Sequence, residues 1–141
     1  MRILAVDPGT KRIGIAISDP TGTIANSLCV LEHVSRQENA VNIARLAAEH
    51  EVEQIIVGQS LDDYGQPTFQ GRRAARLAAA IRKQTNIQVK LWDESFSTQD
   101  AQTFAIAMRN TPQKRKKLSH FDDLAAAIIL QSYLDANSPG D

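Results

Sequence analysis

Residues 3–19 read Ile3-Leu4-Ala5-Val6-Asp7-Pro8-Gly9-Thr10-Lys11-Arg12-Ile13-Gly14-Ile15-Ala16-Ile17-Ser18-Asp19. Two apolar runs, Ile3–Val6 and Ile13–Ile17, flank a Pro-Gly segment that reads as a turn. The stretch is therefore a strand, a short loop and a second strand, most simply a hairpin. The first run is apolar at every position, as in a central strand covered on both faces. It ends at Asp7, where a buried sheet would meet solvent. An unpaired buried carboxylate is costly, so Asp7 needs a cation, a set of donors or a metal beside it. Asp-Pro also suits a turn starter whose side chain bonds to the loop backbone. This stretch alone leaves both readings open.

Beyond the hairpin, Thr21-Gly22-Thr23 reads as a turn and Asn26–Glu32 as a third strand. Ser35–Val52 has helical spacing, with Ala40, Ile43, Ala44 and Ala47 on one face. Ser35 and Glu38 form a capping-box pattern. Gln54–Val57 is a short β-branched run ending at Gly58, and Gln59–Pro67 is a polar loop. Gln70–Gln84 is a second helix, with Ala74, Leu77, Ala78 and Ile81 facing the core and Arg72, Arg73 and Arg76 on an exposed face. Ile87–Leu91 alternates like a half-buried strand and leads into Trp92, Asp93 and Glu94. Ser97 or Thr98 can cap a third helix running to about Met108. Asn110–Leu118 is a basic loop. Phe121–Leu134 is a last helix, apolar nearly all round and so deeply packed. The order β-β-β-α-β-α-β-α-α predicts an α/β fold: a mixed sheet with helices on both faces.

A chain of 141 residues with 43% hydrophobic and 23% charged side chains is ordinary for one globular domain. The pattern predicts that domain over 1–136, with a disordered tail at 137–141. The longest apolar run, Leu124–Leu130, is too short to span a bilayer, and residues 3–6 are too short for a signal-peptide core. A cytoplasmic location without membrane partners is expected. Cys29, the single cysteine, permits no internal disulfide and fits a reducing compartment. It lies between Leu28 and Val30 and reads as a small core hydrophobe. Sixteen basic and sixteen acidic side chains cancel, so net charge announces no nucleic-acid partner. The distribution is less even, because Arg109–Lys117 holds five positive residues and no negative one.

Acidic residues stand at the ends of three apolar elements: Asp7 after strand one, Asp93-Glu94 after strand five, and Asp122-Asp123 at the start of the last helix. Ligand sites of open α/β sheets gather at the carboxyl ends of the strands. Carboxylates converging there without His or Cys make a hard, all-oxygen site suited to Mg²⁺ or Mn²⁺. Such ions activate water and stabilise the leaving oxygen in phosphodiester cleavage. Asp122 can equally be the capping partner of Ser119. Spacing does not choose between Asp122 and Asp123, since each leads an apolar stripe. Asp93 and Glu94 would point to opposite faces of a continued strand, so at most one faces the site.

Three segments resemble the YqgF/RuvX family of pre-16S rRNA nucleases and Holliday-junction-resolvase-like proteins. They are Ile3–Asp19, Leu91-Trp92-Asp93-Glu94-Ser95-Phe96-Ser97-Thr98, and the helix Asp122–Leu134. Ile56-Val57-Gly58 and the basic Lys114-Arg115-Lys116-Lys117 are similar to the family too. The resemblance implies an RNase H-like fold with strands 1–3 antiparallel and strands 4 and 5 parallel to strand 1. It implies a metal-dependent endonuclease acting on the 5′ end of precursor 16S rRNA in ribosome biogenesis, with catalytic and metal-binding Asp7, Glu94 and Asp122. Thr10, Lys11, Arg12 and Lys114–Lys117 would contact nucleic acid.

The sequence departs from the family in three places. Ser95 stands where the family has Arg, Gln59-Ser60 replaces Leu-Pro, and no acid ends strand four. Two alternatives follow: a resolvase of branched DNA, and a non-catalytic RNA-binding ribosome-assembly factor. An actin-like nucleotide-binding fold ranks last, because the chain is too short for two lobes. The expected partners are precursor rRNA or branched DNA, with ribosomal particles, for a monomer or homodimer.

Overall fold

The computed structural model describes residues 1–94 and 121–137, with the side chains of 121–123 outside that description. The helix expected from Ser97 or Thr98 to Met108, the basic loop with Lys114–Lys117, and Ser95 lie outside the described residues. The described elements are β1 (Ile3–Pro8), β2 (Arg12–Ser18), β3 (Ala25–Glu32), α1 (Arg36–Glu49), β4 (Gln54–Gln59), α2 (Phe69–Arg82), β5 (Gln88–Asp93) and α3 (Phe121–Ala136).

The strands form one sheet in the order β3-β2-β1-β4-β5. The hairpin reading holds: β1 pairs antiparallel with β2, Asp7 opposite Gly14, and β2 pairs antiparallel with β3. β4 joins the other side of β1 in parallel, Val6 beside Val57, and β5 follows β4 in parallel, Gly58 beside Trp92. β1 is thus central, which explains its unbroken apolar run.

Alternation along the strands sorts the core into two layers. Leu4, Val6, Ile13, Ile15, Ile55, Val57 and Val89 face α1 and α2. Ile3, Ala5, Ala16 and Ile56 face α3, meeting Ala126, Ile129, Leu130 and Tyr133. Cys29 packs at the margin of the first layer. Leu124 and Ala126–Leu130 of α3 are all buried, as expected of a helix apolar nearly all round.

Ser35 caps α1, its Oγ accepting from Glu38 N–H at 3.1 Å. The sequence suggests a helix to Val52, but α1 ends at Glu49. Glu51 adopts φ 55°, a left-handed conformation. Val52 N–H then bonds to Ala47 O at 2.9 Å and Glu51 N–H to Ala48 O at 3.2 Å, the Schellman pattern. This reversal drops Val52 into the core, so its apolar character reports burial after the helix. Thr68 caps α2, accepting from Gly71 N–H at 3.1 Å. Asn137, the first residue of the expected tail, bonds through N–H and Nδ2 to Tyr133 O. Residues 138–141 lie outside the description.

α3 runs antiparallel to β4. Tyr133 Oη lies 3.2 Å from Gln54 Oε1 at the start of that strand. At its other end, a Cβ on Gly58 would stand 2.9 Å from Ile129 Cδ1. The amino end of α3 therefore projects past the carboxyl ends of β1 and β4. Trp92 Nε1 donates to Ser132 Oγ at 2.9 Å, and its ring meets Tyr133 edge-on at 5.1 Å. Gln131 bonds to Ala25 N–H and Thr23 O beside β3. Both ends of the sheet thus hold the helix.

Candidate active site

Asp7 follows Ile3 and Ala5 on the face of β1 that looks toward α3. Its partner across β2 is Gly14. On the β4 side Val6 pairs with Val57, so Gly58 stands next along from that pair, beside Asp7. Glycine therefore flanks the carboxylate on both sides, leaving space where side chains would otherwise pack.

Glu94 follows directly on β5 and shares the parity of Trp92, whose ring packs on the α3 layer. Its Oε2 lies 3.5 Å from where a Cβ of Gly58 would be. Glu94 thus reaches over β4 toward β1, and Asp93 takes the opposite parity. Of this adjacent acidic pair, Glu94 is the one beside Gly58. Burial raises the pKa of the Glu94 carboxyl, and the neighbouring Asp93 charge raises it further.

A cleft of about 200 Å³ opens here, lined by Pro8, Gly9, Thr10, Gly58, Ser60, Gln70 and Glu94; Asp7 is not part of its lining. Thr10 therefore belongs to the cleft wall. Arg12 instead lies 4.0 Å from Glu32, and Lys11 gives its carbonyl to His33 N–H at 3.0 Å. Gln70 joins the wall without a signal in the sequence, and Ser60 is marked there only as a departure from the family. Gly71 explains their place: a Cβ there would stand 2.1 Å from Ser60 O, so only glycine lets α2 start against this loop. Ser60 O also accepts from Thr68 N–H at 3.0 Å.

Asp122 lies in the first turn of α3, seven residues before Ile129, whose methyl covers Gly58. That direction brings the helix start to the same edge as Asp7 and Glu94. Among the described residues no three His, Cys, Asp or Glu side chains form a metal-holding group. The side chains of Asp122 and Asp123 lie outside the description, and so do Lys114, Arg115, Lys116 and Lys117.

A 3-2-1-4-5 mixed sheet with helices on both faces is an RNase H-like fold. It is similar to that of T. thermophilus RuvC in complex with Holliday junction substrate, with a TM-score of 0.61 at 13% identity over 98% of this chain and 97% of that one. The RuvX family, described as "Holliday junction resolvase", matches residues 1–136. The chain belongs to that family. Two relatives carry the name "Putative pre-16S rRNA nuclease". The one from Desulforamulus reducens is 35% identical, covering 98% of this chain and 99% of the relative. The one from Thermoanaerobacter pseudethanolicus is 37% identical, covering 96% and 97%. No helix among the described residues is long and apolar enough to cross a membrane.

Proposed function

We propose that this chain is a metal-dependent endonuclease that trims the 5′ end of precursor 16S rRNA. The observation that carries the reading is the placing of Asp7 and Glu94 on either side of Gly58, at the carboxyl edge of the sheet where α3 begins. The names of full-length relatives support the choice of rRNA.

Asp7, Glu94 and Asp122 are the residues that would hold Mg²⁺ or Mn²⁺. The donors fit such an ion, being all oxygen and hard. Burial and Asp93 disfavour the charged form of Glu94, and a cation beside it reverses that penalty. The glycines leave room for an ion and its waters. When bound, the metal supplies an activated water and charge stabilisation on the phosphate.

The chain does the positioning. Asp7 is fixed by the central strand. Glu94, at the end of β5, accepts hydrogen bonds that orient the attacking water. The Thr10 hydroxyl, on the cleft wall, donates to a non-bridging phosphate oxygen. Lys11, Arg12 and Lys114–Lys117 add backbone contacts outside the cleft. The work is done in the cytoplasm, on free precursor RNA or on ribosomal particles, by a monomer or homodimer.

The test is cleavage of end-labelled precursor 16S rRNA and of a four-way DNA junction, each with Mg²⁺, Mn²⁺ or EDTA. RNA cutting that needs metal and falls at least a hundredfold in Asp7→Asn, with melting temperature unchanged, is the expected result. A normally active Asp7→Asn protein removes the site. Cutting confined to paired nicks in the junction favours the second reading, a resolvase, which the likeness to RuvC supports. A resolvase must also be a two-fold dimer.

A further inference from the structure

The turn at Pro8 and Gly9 has a second cavity on its far side. It holds about 190 Å³ and is lined by Pro8, Gly9, His33, Arg36, Asn39 and Arg73, with Ile13 and Leu77 behind. No carboxylate lines it. Among the described residues, neither Arg36 nor Arg73 forms an ion pair. The charge is therefore concentrated and unneutralised, in contrast to Arg12 and Arg45, which lie 4.0 Å from Glu32 and 3.9 Å from Glu49.

The cavity is also built. Asn39 is 2% exposed, and its Oδ1 accepts from Val34 N–H at 3.2 Å. That bond fixes the amide, so Nδ2 is the atom that donates to His33 Nδ1 at 3.0 Å. An imidazole accepting at Nδ1 presents its N–H at Nε2. Two guanidinium groups and an imidazole N–H around one cavity form a receptor for a tetrahedral oxyanion.

We propose that this cavity binds a non-scissile backbone phosphate of the nucleic-acid strand whose neighbouring linkage lies in the cleft lined by Thr10 and Glu94. Pro8 and Gly9 line both cavities, so one strand crossing the turn meets the acidic site and then the cationic one. The inference rests on the nuclease reading. It adds Arg36 and Arg73 as the residues that set the strand's register, with His33 as an oriented donor and Asn39 as the residue positioning it.

The experiment measures binding of a fluorescent single-stranded RNA by anisotropy in EDTA, where metal-dependent cutting does not interfere. Wild type, Arg36→Gln, Arg73→Gln and the double variant are compared across salt, with Arg45→Gln as control. Each cavity variant is expected to weaken binding about tenfold and to lower the salt slope by about 0.7, while Arg45→Gln changes neither. A methylphosphonate walked along the RNA then neutralises one linkage at a time. One non-scissile position is expected to weaken wild-type binding and to have no further effect in the double variant.

Unchanged affinity and slope in the double variant, with wild-type RNA binding intact, overturn the cavity proposal and leave the nuclease reading standing. A control that loses as much as the cavity variants, or a methylphosphonate effect that persists in the double variant, also overturns it. Wild type that neither binds nor cuts RNA or junction DNA overturns the nuclease reading, and the cavity proposal with it.

Discussion

The two faces of the sheet are built from the same five strands and end in opposite chemistry. Under α3 the strand ends carry Asp7 and Glu94 with glycine between them. On the other face, the space beside the same turn is ringed by Arg36, Arg73 and His33. The difference arises from alternation: one residue's shift along β1 or β5 exchanges the faces. Val6 joins the α1–α2 core and Asp7 faces the α3 side. The two cavities meet at one turn of chain, since Pro8 and Gly9 line both.

Gly9→Ala strikes what both regions share. A Cβ there would lie 2.4 Å from Arg12 O, a backbone atom, so the turn must open. A stability loss of about 1–3 kcal/mol is expected in urea unfolding. Cleavage and the arginine-dependent part of the salt slope should fall together. Loss of one without the other would show that the two regions are not coupled through the turn.

Trp92→Phe tests the α3 face alone. It removes the 2.9 Å bond to Ser132 Oγ and part of the edge contact with Tyr133. The expected cost is about 1 kcal/mol, with cleavage reduced because α3 carries Asp122. The salt slope of RNA binding should stay unchanged. A changed slope would mean that α3 also organises the cationic face.

The smallest effect concerns Glu94. Its carboxyl has a raised pKa in the fold, so above the ordinary value of 4.5 the folded state binds more protons than the unfolded one. Stability contributed by this group therefore declines as pH rises through that window. Metal-free Glu94→Gln should lack this decline and melt slightly higher than wild type at neutral pH, while losing stabilisation by Mn²⁺. A variant that melts identically at every pH and still gains from Mn²⁺ would remove Glu94 from the ion site.

The hairpin was legible because its two apolar runs and Pro-Gly turn are local signals. The capping of α1 was legible for the same reason. The end of α1 was not: Val52 continues the apolar spacing, and only the left-handed Glu51 shows that the chain has turned into the core. The acidic positions could be found at element ends, and resemblance to the family chose among neighbours. Arg73 read as one of three exposed arginines on a helix. Only the fold brings it to Arg36, because α1 and α2 pack side by side over the first core layer.

By itself, the sequence determined the described strands, the central place of β1 and the acidic residues that end β1 and β5. These depend on periodicity and on which residues end each apolar run, and both are properties of neighbours in the chain. Tertiary structure decided that Glu94 crosses Gly58 toward Asp7, that glycine lies on both sides of that aspartate, and that an arginine-lined cavity opens behind the same turn. These depend on strand register and helix packing, which join residues far apart in sequence and leave no local pattern to read.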